Sequence, residues 1–265
     1  MCVFSSLQAY LIDAAKDNSG NWIVSVEKPS NKLKEDLKNH KIPFAEDFAE
    51  GYSYRMDSEN PQRPFIYLSE MSPGMEEVSQ VKIIKGRNVK NSDEIVIPET
   101  LENNGGIKYE VGQKIRLDIG TRINIRSGVE MDQSDIYKPM EEVFINIETR
   151  EFTVVGISER IAIEPAQAPG YTAIVKSVPS CMDSNRLYIY DTDYERAWNT
   201  AAQYASKENI SINEELLLAQ GVIRSDNSGF YSFAAFLIIV IELLGCILLN
   251  NTFMIMFAER NKYYR

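Results

Sequence analysis

The chain has 265 residues, 44% of them hydrophobic and 25% charged, and a formal net charge of −10. That balance excludes disordered and collagen-like classes, and the acid excess argues against a nucleic-acid groove, which needs concentrated Lys and Arg to neutralise phosphates. The length suits one large domain, or two small ones, with an appendage.

The chain opens MCVFSSLQAYLIDAAKDNSGNW. Val3, Phe4, Leu7, Tyr10, Leu11, Ala14 and Ala15 recur at helical spacing, and Asp17, Asn18, Ser19 and Gly20 end the pattern. This helix is too short to span a bilayer and lacks a basic leader, so it reads either as an ordinary amphipathic helix or as the outer end of a longer membrane helix. Trp22 to Glu27 (WIVSVE) alternates as a strand does, and Pro29-Ser30-Asn31 opens a short helix with Leu33 and Leu37 on one face. Tyr52 to Arg55 and Phe65 to Leu68 are strand candidates, and Glu76 to Gln80 a helical turn.

Residues 91 to 175 are strand-rich. Glu94 to Ile97, Lys114 to Asp118, Ile123 to Ile125, Val143 to Ile147 and Glu151 to Ile157 are separated by turn signals, among them Asn103-Asn104-Gly105-Gly106. Asn185 to Asp191 is a further strand, Thr192 and Glu195 have capping-box spacing for a helix through about Ser206, and a second short helix runs from Asn213 to Ala219.

From Phe233 to Ala258 the sole charged residue is Glu242. A helix over that stretch reaches roughly 39 Å, more than the ~30 Å hydrocarbon core of a bilayer, and it is apolar on every side, as buried core helices rarely are. Arg260, Lys262 and Arg265 follow it, whereas Asp226, Asn227, Ser228 and Gly229 precede it, with Tyr231, Tyr263 and Tyr264 at the two boundaries. The positive-inside rule puts the C-terminus in the cytoplasm and the acidic body outside. Within the span Glu242, Cys246 and Asn250 fall at i, i+4 and i+8 beside Gly245, a polar stripe better placed against another helix than against lipid.

Catalytic and metal-binding patterns are sparse. His40 is the sole histidine, which removes most zinc sites and most Ser/His or Cys/His arrangements, and it reads as a solvated residue near a helix end. Cys2, Cys181 and Cys246 form no even disulfide framework and leave the redox compartment open. A phosphate-binding loop needs G-x-x-x-x-G-K-S/T, and the chain has no Gly-Lys dipeptide. Glu130, Asp132, Asp135, Glu141 and Glu142 lack the regular spacing of a calcium loop and read as a solvated acidic loop, while Asp191 and Asp193 suit the start of the helix that they flank. No metal site is expected, and with 38 acidic residues a chance carboxylate pair leaves a hydrolase open.

These elements predict an α+β fold in two lobes: a β-rich lobe from about 91 to 175 inserted into an α+β lobe, followed by a C-terminal transmembrane helix. The expected divisions are a stalk helix at 1–20, an extracytoplasmic domain at 21–228, and a transmembrane helix with its cytoplasmic end at 229–265.

The run KGRNVKNSDEIVI (Lys85 to Ile97), then VGQKIRLD and EFTVVGI, and finally a span ending Ala258-Glu259-Arg260-Asn261-Lys262, resembles the extracytoplasmic domain and flanking helix of FtsX-like, MacB-type permeases of ATP-binding-cassette (ABC) transporters. Val89 stands where that family often has Pro, Ala258 replaces the usual Ser, and Arg265 sits where Gly is expected. The resemblance implies a subunit with no chemistry and no cofactor of its own, in which a separate cytoplasmic ABC ATPase moves the helices and so the outer body. It further implies that Glu259 and Arg260 lead into the ATPase contact, that Glu242, Cys246 and Asn250 pack against neighbouring membrane helices, and that the chain is a fragment. Expected partners are the ATPase, membrane lipid and a peptide or lipoprotein cargo, with two permease halves paired or joined in one longer chain, and no nucleic acid. The alternative is a single-span, receptor-like sensor with an extracellular ligand domain.

Overall fold

In the computed structural model, residues 2–55, 57–176, 185–222 and 228–263 are described, and the chain divides into two units, Met1–Gln220 and Gly221–Arg265. The first unit begins with α1 (Cys2–Ser19), β1 (Val24–Glu27) and α2 (Asn31–Asn39). α2 starts where the sequence predicts because the Ser30 hydroxyl accepts from the Leu33 N–H at 3.3 Å, and it buries Leu33 and Leu37. At its end the exposed His40 ring lies 3.0 Å from the Asp36 carbonyl through Nδ1.

Next come β2 (Phe44–Tyr54), β3 (Phe65–Met71), α3 (Met75–Ser79), β4 (Ile83–Gly86), β5 (Glu94–Pro98) and α4 (Thr100–Gly105). The chain continues through β6 (Lys114–Asn124), β7 (Glu130–Met131), β8 (Glu142–Ser158), β9 (Gly170–Val175) and β10 (Arg186–Ile189). It closes with α5 (Tyr194–Tyr204), β11 (Ile210–Ile212) and α6 (Glu214–Ala219).

The strands form one mixed ladder in the order β11-β1-β10-β2-β3-β9-β5-β8-β6-β7, with β4 on β8 and an added β2–β6 contact. β3 and β9 run parallel from Phe65↔Gly170 to Glu70↔Val175, and β5 runs parallel to the end of β8; the neighbouring pairs are antiparallel. The strands of residues 91–175 therefore share hydrogen bonds with strands outside that range. Parallel strands are covered on both faces and read as continuous apolar runs, which is why every residue of β5 and β9 is buried. The main core gathers Ile66, Leu68, Ile95, Leu117, Phe152 and Tyr171 with their neighbours, and a separate aromatic cluster joins Tyr52, Phe65 and Tyr67 to Tyr137 and Phe144.

Several boundaries differ from expectation. The Asn103-Asn104-Gly105-Gly106 signal ends a helix rather than forming a bare turn: α4 stops at Gly106, which has φ +71° and whose N–H donates to the Glu102 carbonyl. α5 is capped by Asp193 rather than Thr192, because Asp193 Oδ1 accepts from the Arg196 N–H at 2.9 Å. The two predicted strands at 143–147 and 151–157 are one 17-residue strand, β8, which pairs with β6 on both sides of a register shift opposite Ile119 and Gly120.

The second unit is a single helix, α7 (Ser228–Tyr263), of 36 residues. Its Ser232–Met256 stretch has a mean hydropathy of 2.7, is 25 residues long, and is wholly unburied in the structure. At 1.5 Å per residue that stretch covers roughly 38 Å, enough to cross a bilayer.

Candidate functional site

The two ends of the first unit meet in one buried junction. β1 pairs with β11 (Val24↔Ile212), and α6 packs against α1. Asn213, 2% exposed, organises the contact. Its Oδ1 accepts from the Leu216 N–H at 3.1 Å and so caps α6, its Nδ2 donates to the Gly20 carbonyl at 2.9 Å, and its backbone N–H donates to the Ile23 carbonyl at 3.1 Å. The Ser19 hydroxyl lies 2.9 Å from Asn213 Oδ1 and 2.8 Å from the Ala15 carbonyl, so its one proton is shared between two acceptors. Trp22 Nε1 donates to the Ser19 carbonyl at 2.7 Å, and Asn18 donates to Glu215 at 3.0 Å. The end of α1 is thereby fixed to the elements that precede residue 220. Farther back along α1 the side chains leave the body: Ala15 is buried, but Tyr10 is 69% exposed, with Leu7 and Leu11 exposed beside it.

Three of the segments quoted for the resemblance, KGRNVKNSDEIVI, VGQKIRLD and EFTVVGI, converge on the end of β8. Gly86, at φ +76°, pairs with Gly156, and a Cβ on Gly86 would stand 2.2 Å from the Val155 carbonyl oxygen. A Cβ on Gly156 would stand 2.3 Å from the Arg87 carbonyl oxygen, so both backbones approach closely only without side chains. Arg87 forms a two-pronged ion pair with Glu94, Nη1 to Oε2 at 2.7 Å and Nη2 to Oε1 at 2.6 Å, and Glu94 also accepts from the Lys90 N–H at 2.7 Å. The Arg87 hydrogen bonds, then those of the Lys90 and Asn91 backbone, hold the Glu94 carboxyl far below the usual carboxylate range. From the VGQKI segment, the Gly112 N–H donates to the Val154 carbonyl at 2.7 Å, and the Val154 N–H donates to the Gln113 carbonyl at 2.9 Å. G-R, E-I-V, V-G-Q and V-V-G-I are one structural clamp.

The acidic region read as a solvated loop is in fact built around a cation. Arg122 is fully buried and pairs with Glu142, Nη2 to Oε2 at 2.6 Å. Its Nη1 donates to the Asp132 carbonyl at 2.9 Å and its Nη2 to the Asp135 carbonyl at 3.1 Å, fixing the turn between β7 and β8. The Tyr52 and Phe65 rings lie 5.2 and 5.3 Å from the guanidinium carbon. Glu142 therefore belongs to the interior, whereas Glu130 and Asp135 remain exposed. Among the described residues no group of His, Cys, Asp and Glu side chains has the arrangement of a metal site.

Glu242, Cys246 and Asn250 lie on successive turns of α7 and are exposed, with Cys246 a free thiol. Glu259 and Arg260 fall in the last turns of α7, where side chains are outside the described set; Cys181, Asp226, Asn227, Tyr264 and Arg265 lie outside the described residues. Periodicity finds the stripe on α7, but no spacing rule announces Asn213, Arg122 or the Arg87–Glu94 pair.

No family model and no curated protein matches the chain. Among solved structures, it is similar to the extracellular domain of the noncanonic ABC-type transporter YknZ from Gram-positive bacteria, at 13% identity and a TM-score of 0.38 over 72% of this chain and 99% of that one. It is also similar to the periplasmic region of MacB from Actinobacillus actinomycetemcomitans, at 9% identity and a TM-score of 0.41 over 82% of this chain and 100% of that one.

Proposed function

We propose that the chain is the extracytoplasmic body and one flanking membrane helix of an FtsX-like ABC transporter permease. In this reading α1 is the outer end of a first membrane helix, α7 spans the bilayer with Arg260, Lys262 and Arg265 in the cytoplasm, and residues 91–175 form a lobe inserted into the body. The chain carries out no chemistry of its own. A partner ATPase closes on ATP, the membrane helices shift, and the body moves with them.

The junction at Asn213 carries this proposal. A body moved by helices follows them only if its attachments are stiff, and the end of α1 is fastened to α6 by the buried Asn213 amide. Glu259 and Arg260 would lead into the ATPase contact, and Glu242, Cys246 and Asn250 would face neighbouring membrane helices, where polar side chains are favoured. A peptide or lipoprotein is the cargo class that the family resemblance implies.

The second reading is a single-span receptor, favoured by one candidate span among the described residues. Purifying the natural full-length protein with the ATPase encoded beside it separates the two. Recovery of an ATPase whose turnover changes on adding cationic peptides supports the permease; failure to recover any ATPase supports the receptor.

A further inference from the structure

Part of β8 has a strand on one side only. β8 takes β5 from Thr153 and β4 from Gly156, so over Glu142–Phe152 its one strand partner among the described residues is β6. The Ile125 N–H donates to the Glu141 carbonyl at 2.8 Å, and Val143 and Ile145 continue that pairing opposite Ile123 and Thr121. Glu141, Val143 and Ile145 therefore turn their backbone groups to β6, and the alternate residues Phe144 and Asn146 turn theirs to the open side. The Phe144 ring, 5.9 Å from that of Phe65 in the aromatic cluster, holds this piece of strand in place. Ile147 has no opposite residue on β6, and Val143, Ile145 and Ile147 are 46, 48 and 71% exposed.

An open strand edge offers its N–H and C=O groups to another strand, and natural edges carry charges or bulges against this. The extra residue at Ile147 and the charges of Glu148, Arg150 and Glu151 guard the second half of this edge, whereas Val143-Phe144-Ile145-Asn146-Ile147 has no charge. That segment is also symmetric about Ile145, with β-branched aliphatic side chains at its centre and two residues to either side. We propose that the open edge of β8 pairs with the same edge of a second copy of this chain, antiparallel and centred on Ile145. The two-fold register sets Phe144 of each copy opposite Asn146 of the other, so that their outward backbone groups bond, and it brings Ile145 against Ile145 and Val143 against Ile147. A foreign strand would answer the same backbone groups, but the symmetric spacing is matched by an identical one. The three side chains offer on the order of 200 Å² of apolar surface per copy, against roughly 800 Å² per partner in a stable interface. The contact is therefore weak in solution and forms between copies that a shared bilayer keeps at high local concentration. It rests on α7 spanning a membrane and not on an ATPase partner.

The test is thiol cross-linking of the full chain in liposomes, with Cys2, Cys181 and Cys246 replaced by Ser and insertion first verified by resistance to alkaline extraction. Under mild oxidation Ile145→Cys is expected to form disulfide-linked dimers about tenfold or more faster than Lys108→Cys, an exposed site outside this edge. Val143→Cys and Ile147→Cys should cross-link when the two variants are mixed and not when each is alone, and adding Ile145→Lys to both should abolish that product. Ile145 is half exposed, so its Lys variant should keep the unfolding temperature of the parent. Extraction of the chain from the liposomes overturns the pairing together with the membrane reading. In an inserted chain, Ile145→Cys dimers that form no faster than those of Lys108→Cys, or Val143→Cys linking as fast alone as in the mixture, overturn the pairing by itself. An Ile145→Cys thiol shielded from maleimide without dimer formation means that a different strand covers the edge, and overturns it as well.

Discussion

The Asn213 side chain donates to the Gly20 carbonyl at 2.9 Å across 193 residues of sequence, so the first helix of the body and its last are held by one buried amide. Removing it leaves the Gly20 carbonyl and the Leu216 N–H without their partner. Asn213→Ala should lower stability by about 1–3 kcal/mol. Ser19→Ala should cost about 1 kcal/mol, and the double variant less than the sum, because the two side chains share one hydrogen-bonded group. Denaturant unfolding of the full chain in micelles reads all three.

The clamp at the end of β8 predicts a steep cost for small changes. Gly86→Ala and Gly156→Ala each put a methyl group within 2.3 Å of a carbonyl oxygen, and Gly86 also has a left-handed backbone. Each should destabilise by more than the roughly 1 kcal/mol of an ordinary Gly-to-Ala change, in the opposite direction to the gain seen in unstrained loops. Thermal unfolding of the two variants checks this.

The Arg87–Glu94 pair gives a pH dependence of known sign. The folded Glu94 carboxyl titrates far below its unfolded range, so the stability it contributes is complete above about pH 4.3 and is lost as pH falls from there through the folded titration. Arg87→Met removes the main cause of the shift. The gap in unfolding temperature between wild type and R87M should therefore be widest near neutrality and narrow below about pH 4. A gap independent of pH would show that the pair does not set the Glu94 titration.

Arg122 predicts an asymmetric result. Arg122→Met strands a buried Glu142 and should cost about 3–5 kcal/mol, whereas Arg122→Met with Glu142→Leu should recover much of that loss. In either variant the turn at Asp132 and Asp135 loses its donors, so faster amide exchange there is expected even where global stability returns.

What the sequence discloses and what it hides follow one physical line. Local signals held: Ser30 caps α2, Leu33 and Leu37 line its buried face, and the apolar run of α7 needs no partner to be read. Failures arose where a long-range contact decides. Lys114 to Asp118 and Ile123 to Ile125 read as two separate strands, but β6 runs unbroken from Lys114 to Asn124 against β8, and Arg122, which lies between the two expected segments, is fully buried. Asn103 to Gly106 looks like a turn because its two glycines outweigh the weaker helix signal of Thr100 to Glu102. The short helix beginning near Asn213 is legible, but the role of the Asn213 side chain toward Gly20 depends on a strand pairing, β1 with β11, that no local pattern encodes.

The most direct test of the central proposal places a fluorescent label at exposed Lys108 of the outer body, in the natural full-length protein reconstituted in liposomes with its partner ATPase. ATP supplied to the ATPase side should change the label's emission, and the change should vanish with Asn213→Ala or with Glu259 and Arg260 replaced by Ala. An emission unaltered while ATP is being hydrolysed would contradict the account.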